Sequence, residues 1–381
     1  MRYLLRGTRF GLALAVCAIL CTAGGLSAST ITLPSVFDSN DLLQSTLAQP
    51  ERQSVQVQLG ARAYGDNNIG SIWDLDGKLP AHDFGGGSAY ASLQTSEWLA
   101  ITHKGWWVGA GTFERDGYEG NSDAAQLWID MNSDGQTQSS YAPVAANTNV
   151  SADWFGVGHD FRLKVGRAAG EGKVSLRRLS ASSFLARSIT GEVEGDMFTG
   201  MMRVLKSDTS HGDVTGTGWA MDVQARVRGN KWIGQVTVEG LLGEMSWHDL
   251  QIEDSLIVSP RTFTDPDGFL HDCGGVTGAI WYDKRSYSIN PYYRLDLISL
   301  NRPNLLLGYA WQSGMKAAPY LGAAWSWHGR WTPYTRYYPV QRRLELGAVG
   351  RGWQVRIAGD DWIFGAPSTA EIGVSAQAVR F

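Results

Sequence analysis

The chain has 381 residues, with 33 Lys and Arg against 37 Asp and Glu, for a formal net charge of −4. Only 18% of residues are charged and 43% are hydrophobic, with 46 Gly, 16 Trp and 14 Tyr. This excludes a disordered chain and leaves no basic footprint for nucleic acid, while the excess of glycine and tryptophan points to strands joined by tight turns.

Residues 1–28 read as a cleaved secretory signal. Arg2, Arg6 and Arg9 give the positive start, and the apolar run from Phe10 to Leu20 is too short to cross a bilayer as a helix. Leu26-Ser27-Ala28 is the expected cleavage site. Cys17 and Cys21 follow Val16 and Leu20, where a lipoprotein signal would place a small residue. Cleavage leaves Cys273 alone, which excludes an intrachain disulfide and makes it a packed apolar residue rather than a redox centre.

In residues 29–50, Asp38, Ser39 and Asn40 precede Leu42, Leu43 and Leu47, the pattern of a short capped helix placed to act as an inner plug. Beyond residue 28 no apolar stretch reaches the ~20 residues of a membrane helix. Period-two alternation takes over instead. Val55, Val57, Leu59 and Ala61 alternate with Gln56, Gln58 and Arg62, and Phe161, Leu163 and Val165 with Arg162 and Lys164.

Trp219, Met221, Val223, Ala225 and Val227 form one face of the next strand, with Asp222, Gln224 and Arg226 on the other. A turn at Gly229-Asn230 sets Val223 opposite Val236 and Gln224 opposite Gln235, with Ile233 the one apolar residue on the polar face. Glu239 ends the return strand. The same alternation places Arg294 and Asp296 against Leu295 and Leu297, Arg343 and Glu345 against Leu344 and Leu346, and Arg356 against Val355 and Ile357.

Strands of ~9–11 residues suit a membrane barrel, and 353 mature residues allow roughly 12–16 of them. A soluble periplasmic sandwich shares the alternation, with its apolar faces turned to a core. Three features favour the barrel. The polar faces carry charges of both signs at strand-interior positions. Aromatics such as Trp106, Trp107, Trp154, Tyr282, Tyr287, Tyr309, Tyr337, Tyr338 and Trp353 fall near strand ends, as in a headgroup girdle. The chain also ends in a strand-like segment, Glu371 to Phe381.

With its signal, its alternating strands and Val379 two before the terminal Phe381, the chain resembles bacterial outer-membrane β-barrel proteins. The resemblance implies an all-β closed antiparallel barrel over residues 51–381 in a Gram-negative outer membrane. It also implies outer-membrane lipid as the surroundings and recognition of Phe381 by the barrel assembly machinery. One departure stands out: Ile372 and Val374 are in the opposite phase from Val379 and Phe381, which a bulge would reconcile and which otherwise leaves the last strand only partly lipid-facing.

Asp222, Arg226, Glu239, Arg294, Asp296, Arg343, Glu345 and Arg356 are then candidates to line a lumen, with charged rings setting selectivity. The expected function is a porin-like channel or export-associated barrel for polar solutes or a polymer. The alternative is a structural or assembly barrel that binds a secretion or surface-structure partner. No catalytic spacing selects a nucleophile, so enzymatic activity is not expected. His271, Asp272 and Cys273 are neighbours along a strand and point to opposite faces. No cofactor is implied beyond a weak calcium motif at Asp130, Asn132 and Asp134. Tyr141 stands where a full calcium loop needs a carboxylate, and a hairpin loop after a strand at Gln126–Ile129 is the simpler reading.

Overall fold

The computed structural model describes residues 30–32, 55–69, 83–133, 140–165, 168–194, 197–209, 212–258, 262–264, 270–272, 275–301, 303–312, 317–325, 331–350, 352–360 and 368–380. The signal, the expected plug helix at 38–47, Asp134, Cys273 and Phe381 lie outside the described residues.

Alternation produces strands throughout. In chain order they are β1 (Thr30–Thr32), β2 (Val55–Asn67), β3 (Ser88–His103), β4 (Trp106–Asn121), β5 (Ser140–Tyr141), β6 (Val144–Val165), β7 (Ala168–Glu194) and β8 (Met197–Lys206). Next come β9 (Asp208–Thr209), β10 (Gly212–Asp213), β11 (Gly216–Arg228), β12 (Trp232–Val258), β13 (Thr262–Thr264), β14 (Leu270–Asp272), β15 (Gly275–Asn290) and β16 (Tyr292–Ser299). The series ends with β17 (Asn304–Gln312), β18 (Ala318–Ala324), β19 (Trp331–Tyr338), β20 (Arg343–Gly350), β21 (Trp353–Gly359) and β22 (Thr369–Arg380).

Neighbours pair antiparallel around a closed ring. The circuit runs β2, β3, β4, β6, β7, then β8 with β11, β12, then β15 with β16, and on through β17 to β22. β22 closes on β2, from Val55 opposite Arg380 to Asp66 opposite Thr369. β8 and β11 are two halves of one interrupted strand, as are β15 and β16, so the ring has 14 staves. Stepping from partner to partner, the ladder leaves β12 at Gly234 and returns to it at Gln251, the stagger that tilts the strands of a barrel.

The faces divide cleanly. Leu307 on β17 is 52% exposed, and Leu59, Leu99, Phe155, Leu176, Leu346, Val355 and Val374 are likewise exposed. Asp222, Asp296, Glu345 and Arg336, on the opposite face of their strands, are buried. Greasy rows face outward and charged rows face inward, so the soluble sandwich is excluded.

The staves differ in height. β7 and β12 each have 27 residues, well over the ~9–11 that a spanning strand needs, whereas β17 to β21 have 7 to 9. One wall therefore rises far above the other. β1 pairs in parallel with the free edge of β15 at Ser288–Asn290, beyond the point where β17 ends opposite Tyr292. The interruption between β8 and β11 is knit to the tall wall: Ser207 N donates to Phe184 O at 2.9 Å, and Phe184 N donates to Ser207 Oγ at 2.8 Å.

Some expectations shift. The turn after β11 centres on Asn230-Lys231, with Gly229 N donating to Trp232 O at 2.9 Å. Val223 therefore faces Val238, not Val236, and Gln224 faces Thr237. A two-residue slip preserves both faces because side chains alternate with period two. Residues 126–129 are not a strand. They belong to helix α1 (Ser122–Asn132), where the Asn121 side chain caps the first turn by accepting from Ala124 N at 2.9 Å. Ala125 and Ile129 of α1 pack with Ile69 and Ala89 at the rim that carries the long connections. Of the two readings of the last strand, a bulge or an only partly outward-facing strand, the bulge is not found, since β22 keeps unbroken register with β2 from Thr369 to Arg380.

Leu307→Arg puts a cation on the outer belt. It should cost the inserted barrel ~2–4 kcal/mol if the site is near the bilayer midplane, read by denaturant titration in lipid vesicles, while Asn304→Ser at the rim should cost less than half of that.

Candidate functional site: the inner wall of the barrel

Pairing register stacks the inward side chains of β19 to β22 and β2 to β4 into rows. One row runs Arg336, Glu345, Ala358, Glu371, Tyr64, Gln94, Arg115. The next runs Tyr334, Gly347, Arg356, Gly373, Arg62, Ser96, Phe113. Tyr338 and Arg343 face each other beyond the first row.

These side chains hold one another by charge. Glu371 is the hub. Its Oε1 accepts from Arg62 Nε at 2.9 Å and lies 2.9 Å from Arg356 Nη2, and its Oε2 accepts from Arg343 Nη1 at 3.1 Å. Glu345 accepts from Arg336 Nη1 and Tyr334 Oη at 2.9 Å each, and from Tyr338 Oη at 2.6 Å. On β16, Arg294 Nε donates to Asp296 at 2.8 Å, and Tyr320 Oη donates to the same carboxylate. Across the barrel, Asp222 takes Arg177 Nη2 at 2.7 Å and Gly240 N at 2.8 Å. Gly240 sits at φ +65° in an interruption of the β12 ladder, which turns its N–H onto the carboxylate.

Burying so many charges is tolerable because each carboxylate is saturated with donors. Glycines let the long side chains lie flat. A Cβ on Gly373 would come 2.8 Å from Arg356 Nε, and one on Gly308 would overlap the Tyr320 ring.

The other half of the inner wall adds aromatic clusters to its buried Arg177–Asp222 pair. Phe184, Trp247 and Tyr287 form a ring cluster with centroids 4.6 to 5.7 Å apart, and Trp107 stacks on Trp154 at 6.0 Å. Toward the rim with short connections, Ile233, Ile298, Leu306 and Val349 pack under Tyr320, Tyr334 and Tyr338. The register switch between Ser151 and Ala152 against β7 carries the inward phase from Leu179 and Ala181 to Phe184.

The structure brings Arg343, Glu345 and Arg356 into one network, with Arg294 and Asp296 as a separate pair. Asp222 stands across the barrel from the Glu371 network but only two staves from Arg294 and Asp296, and Glu239 is buried on the inner face of β12. Arg226 is half-buried and donates to Gln235 Oε1 from Nε and Nη2, at 2.9 and 2.8 Å. Sequence reasoning missed the hub Glu371, its partner Arg62, and Arg177 and Arg336. Glu371 was legible as the polar neighbour of Ile372 and Val374.

The aromatics assigned to a girdle divide. Trp106, Tyr282, Tyr309, Tyr337 and Trp353 are exposed, but Trp107, Trp154, Tyr287 and Tyr338 are buried inside. Of the calcium motif, Asp130 and Asn132 fall in α1, and Asp134 lies outside the described residues. Asp130 lies within α1, where its carboxylate accepts from Gln126 Nε2 at 2.9 Å and from the Tyr141 hydroxyl, and Asn132 ends that helix. Among the described residues no group of three His, Cys, Asp or Glu could hold a metal.

Glu371→Ala strands the buried guanidinium groups of Arg343 and Arg356 and the part-exposed one of Arg62. It should destabilise the barrel by ~3–5 kcal/mol, seen as a lower temperature of heat modification on gels, whereas Arg226→Ala, in a half-buried pair, should shift it far less. Gly308→Val should displace Tyr320 and lower the same temperature, and Tyr320→Phe in that background should add little further loss.

No known sequence-family profile and no curated protein matches the chain. Among solved structures, the toluene transporter TodX from Pseudomonas putida is similar over 92% of this chain and 94% of its own, at 12% identity and a TM-score of 0.40. The transport unit of the autotransporter AIDA-I from Escherichia coli aligns over 91% and 93%, at 10% identity and a TM-score of 0.26. The outer-membrane protease OmpT from Escherichia coli aligns over 88% and 100%, at 8% identity and a TM-score of 0.23. In architecture the chain is a closed antiparallel β-barrel of 14 staves with an apolar outer face.

Proposed function

We propose that the protein is an outer-membrane channel for small solutes, inserted with its short connections toward the periplasm. One observation carries this reading: an enclosed inner wall that pairs a charged, tyrosine-rich half with an aromatic half, behind an apolar outer belt. A barrel serving only as an anchor needs the belt but not two chemically distinct inner walls. The charged half would orient polar groups of a passing solute and the aromatic half its apolar parts. The ion-pair network occupies the inner wall, so conduction proceeds past it or through its rearrangement.

In this reading the chain is exported by cleavage after Ala28 in a Gram-negative cell. Phe381 engages the barrel assembly machinery, and outer-membrane lipid is the surrounding solvent. The tall wall favours a second role, because among the described residues β15 has one unpaired edge beyond the three residues that β1 covers, to which a secretion or surface-structure partner could add a strand.

Purified protein in liposomes should speed swelling in glucose and give discrete steps in planar bilayers. Silence in both assays removes the channel and leaves the partner-binding barrel. Deleting Phe381 should lower the yield of heat-modifiable protein in outer-membrane fractions severalfold, and wild-type yield would remove its role in assembly.

A further inference from the structure

Inward glycines of this barrel seat large side chains. A Cβ on Gly111 would come 2.9 Å from the Trp154 ring, and one on Gly308, Gly347 or Gly373 would strike Tyr320, Tyr334 or Arg356. Gly117 is different. It lies on the inner face of β4, in phase with Arg115 and the buried Phe113. A Cβ there would meet one heavy atom within 4 Å, the Thr148 carbonyl oxygen at 3.9 Å. The inner wall therefore has a hollow here, one row nearer the long connections than the row of Glu371.

The groups around the hollow lack partners. Register sets Ser92 opposite Gly117 on one side and Thr148 on the other, with Gln94 opposite Arg115 in the adjoining row. Ser92 Oγ, Gln94 Nε2 and Arg115 Nη1 are buried and make no hydrogen bond, and Gln94 as a whole is 7% exposed. A buried polar group is costly until something answers it. Ser92, Arg115, Gly117 and Thr148 are half-buried, so the hollow opens on the lumen.

Its surroundings disfavour a net charge. Asp66 stands opposite Ser92, and Glu119 is the next inward residue after Gly117, opposite Tyr90. These carboxylates repel an anion, and Arg115 repels a cation. A neutral hydroxyl both donates and accepts, so it answers an amide N–H, a guanidinium N–H and a serine Oγ alike. The Tyr90 ring, whose hydroxyl donates to Asp66 at 3.4 Å, borders the patch with apolar surface.

We infer that the hollow over Gly117 is a binding site for a neutral polyhydroxylated solute, a sugar or polyol. Its hydroxyls pair with Ser92, Gln94 and Arg115, inward positions that stand about 5 to 7 Å apart along and across the strands, the spread of hydroxyls around a hexose ring. Its C–H face lies against Tyr90. The site rests on the channel reading above and names its solute class, and no covalent step is involved.

The test is equilibrium dialysis of the full mature chain in detergent against labelled glucose, beside liposome swelling in glucose. Saturable, stoichiometric binding is expected, with no displacement by sodium gluconate, an anion of similar size. Gly117→Leu fills the hollow and should abolish binding, while the temperature of heat modification stays at the wild-type value because open space receives the side chain. Gln94→Leu, of similar volume, removes one donor and should weaken binding about tenfold. It is the deciding variant if Gly117→Leu lowers that temperature. Absence of saturable binding, wild-type binding in these variants, or displacement by gluconate equal to that by unlabelled glucose overturns the site. Swelling without binding overturns the site and leaves the channel standing, whereas binding without swelling keeps the site and removes the channel.

Discussion

Every stave of this barrel serves two media at once. Period-two alternation sends each second side chain to the apolar outer face and the rest into an enclosed interior, so no residue's choice of face is independent of its neighbours. The outer row is undemanding, since any apolar side chain of moderate size satisfies it. The inner row is not. A charge placed there is cut off from bulk water and survives only if a residue on the adjoining stave answers it. Glu371 answering Arg62, Arg343 and Arg356 is the plainest case, and Asp222 answering Arg177 is its counterpart across the ring.

That requirement explains why two kinds of interior coexist. Where long polar side chains can reach a partner and a glycine lets them lie down, the wall is charged, as at Arg356 over Gly373. Where the staves rise high and carry phase-switching irregularities, rings fill the space instead, as at Phe184, Trp247 and Tyr287. The ladder irregularities in β12 and β7 are the devices that choose which side chains turn inward at each height.

Much of this was legible in the residues. Leu305, Leu307, Leu344, Leu346, Val355 and Ile357 face outward as their alternation indicates, and each is exposed. The class of fold followed from alternation, the apolar run at the start and the terminal strand. What the sequence concealed has physical reasons. Trp106 and Trp107 are adjacent, yet one is 57% exposed and the other is buried, so composition near a turn does not say which medium a ring meets. Ile233 reads as an intruder on a polar face until Ile298 and Leu306, far along the chain, are seen to join it. Helix α1 hid behind a turn-forming motif because its cap is Asn121, nine residues before Asp130. The hub was hidden because its four members lie on four staves, and no local spacing links residue 62 to residue 371.

That separation carries a consequence for biogenesis. Arg62 and Glu371 are 309 residues apart, and their staves meet only when the ring shuts. Hairpin partners close in sequence can join early, whereas this seam pays its loop entropy last. Until the terminal stave arrives, the arginines made before it lack the one carboxylate that neutralises them, and the growing sheet is electrostatically unfinished. Closure of the ring and discharge of its interior therefore coincide, so a product lacking β22 would betray itself by stranded cations as much as by an open edge.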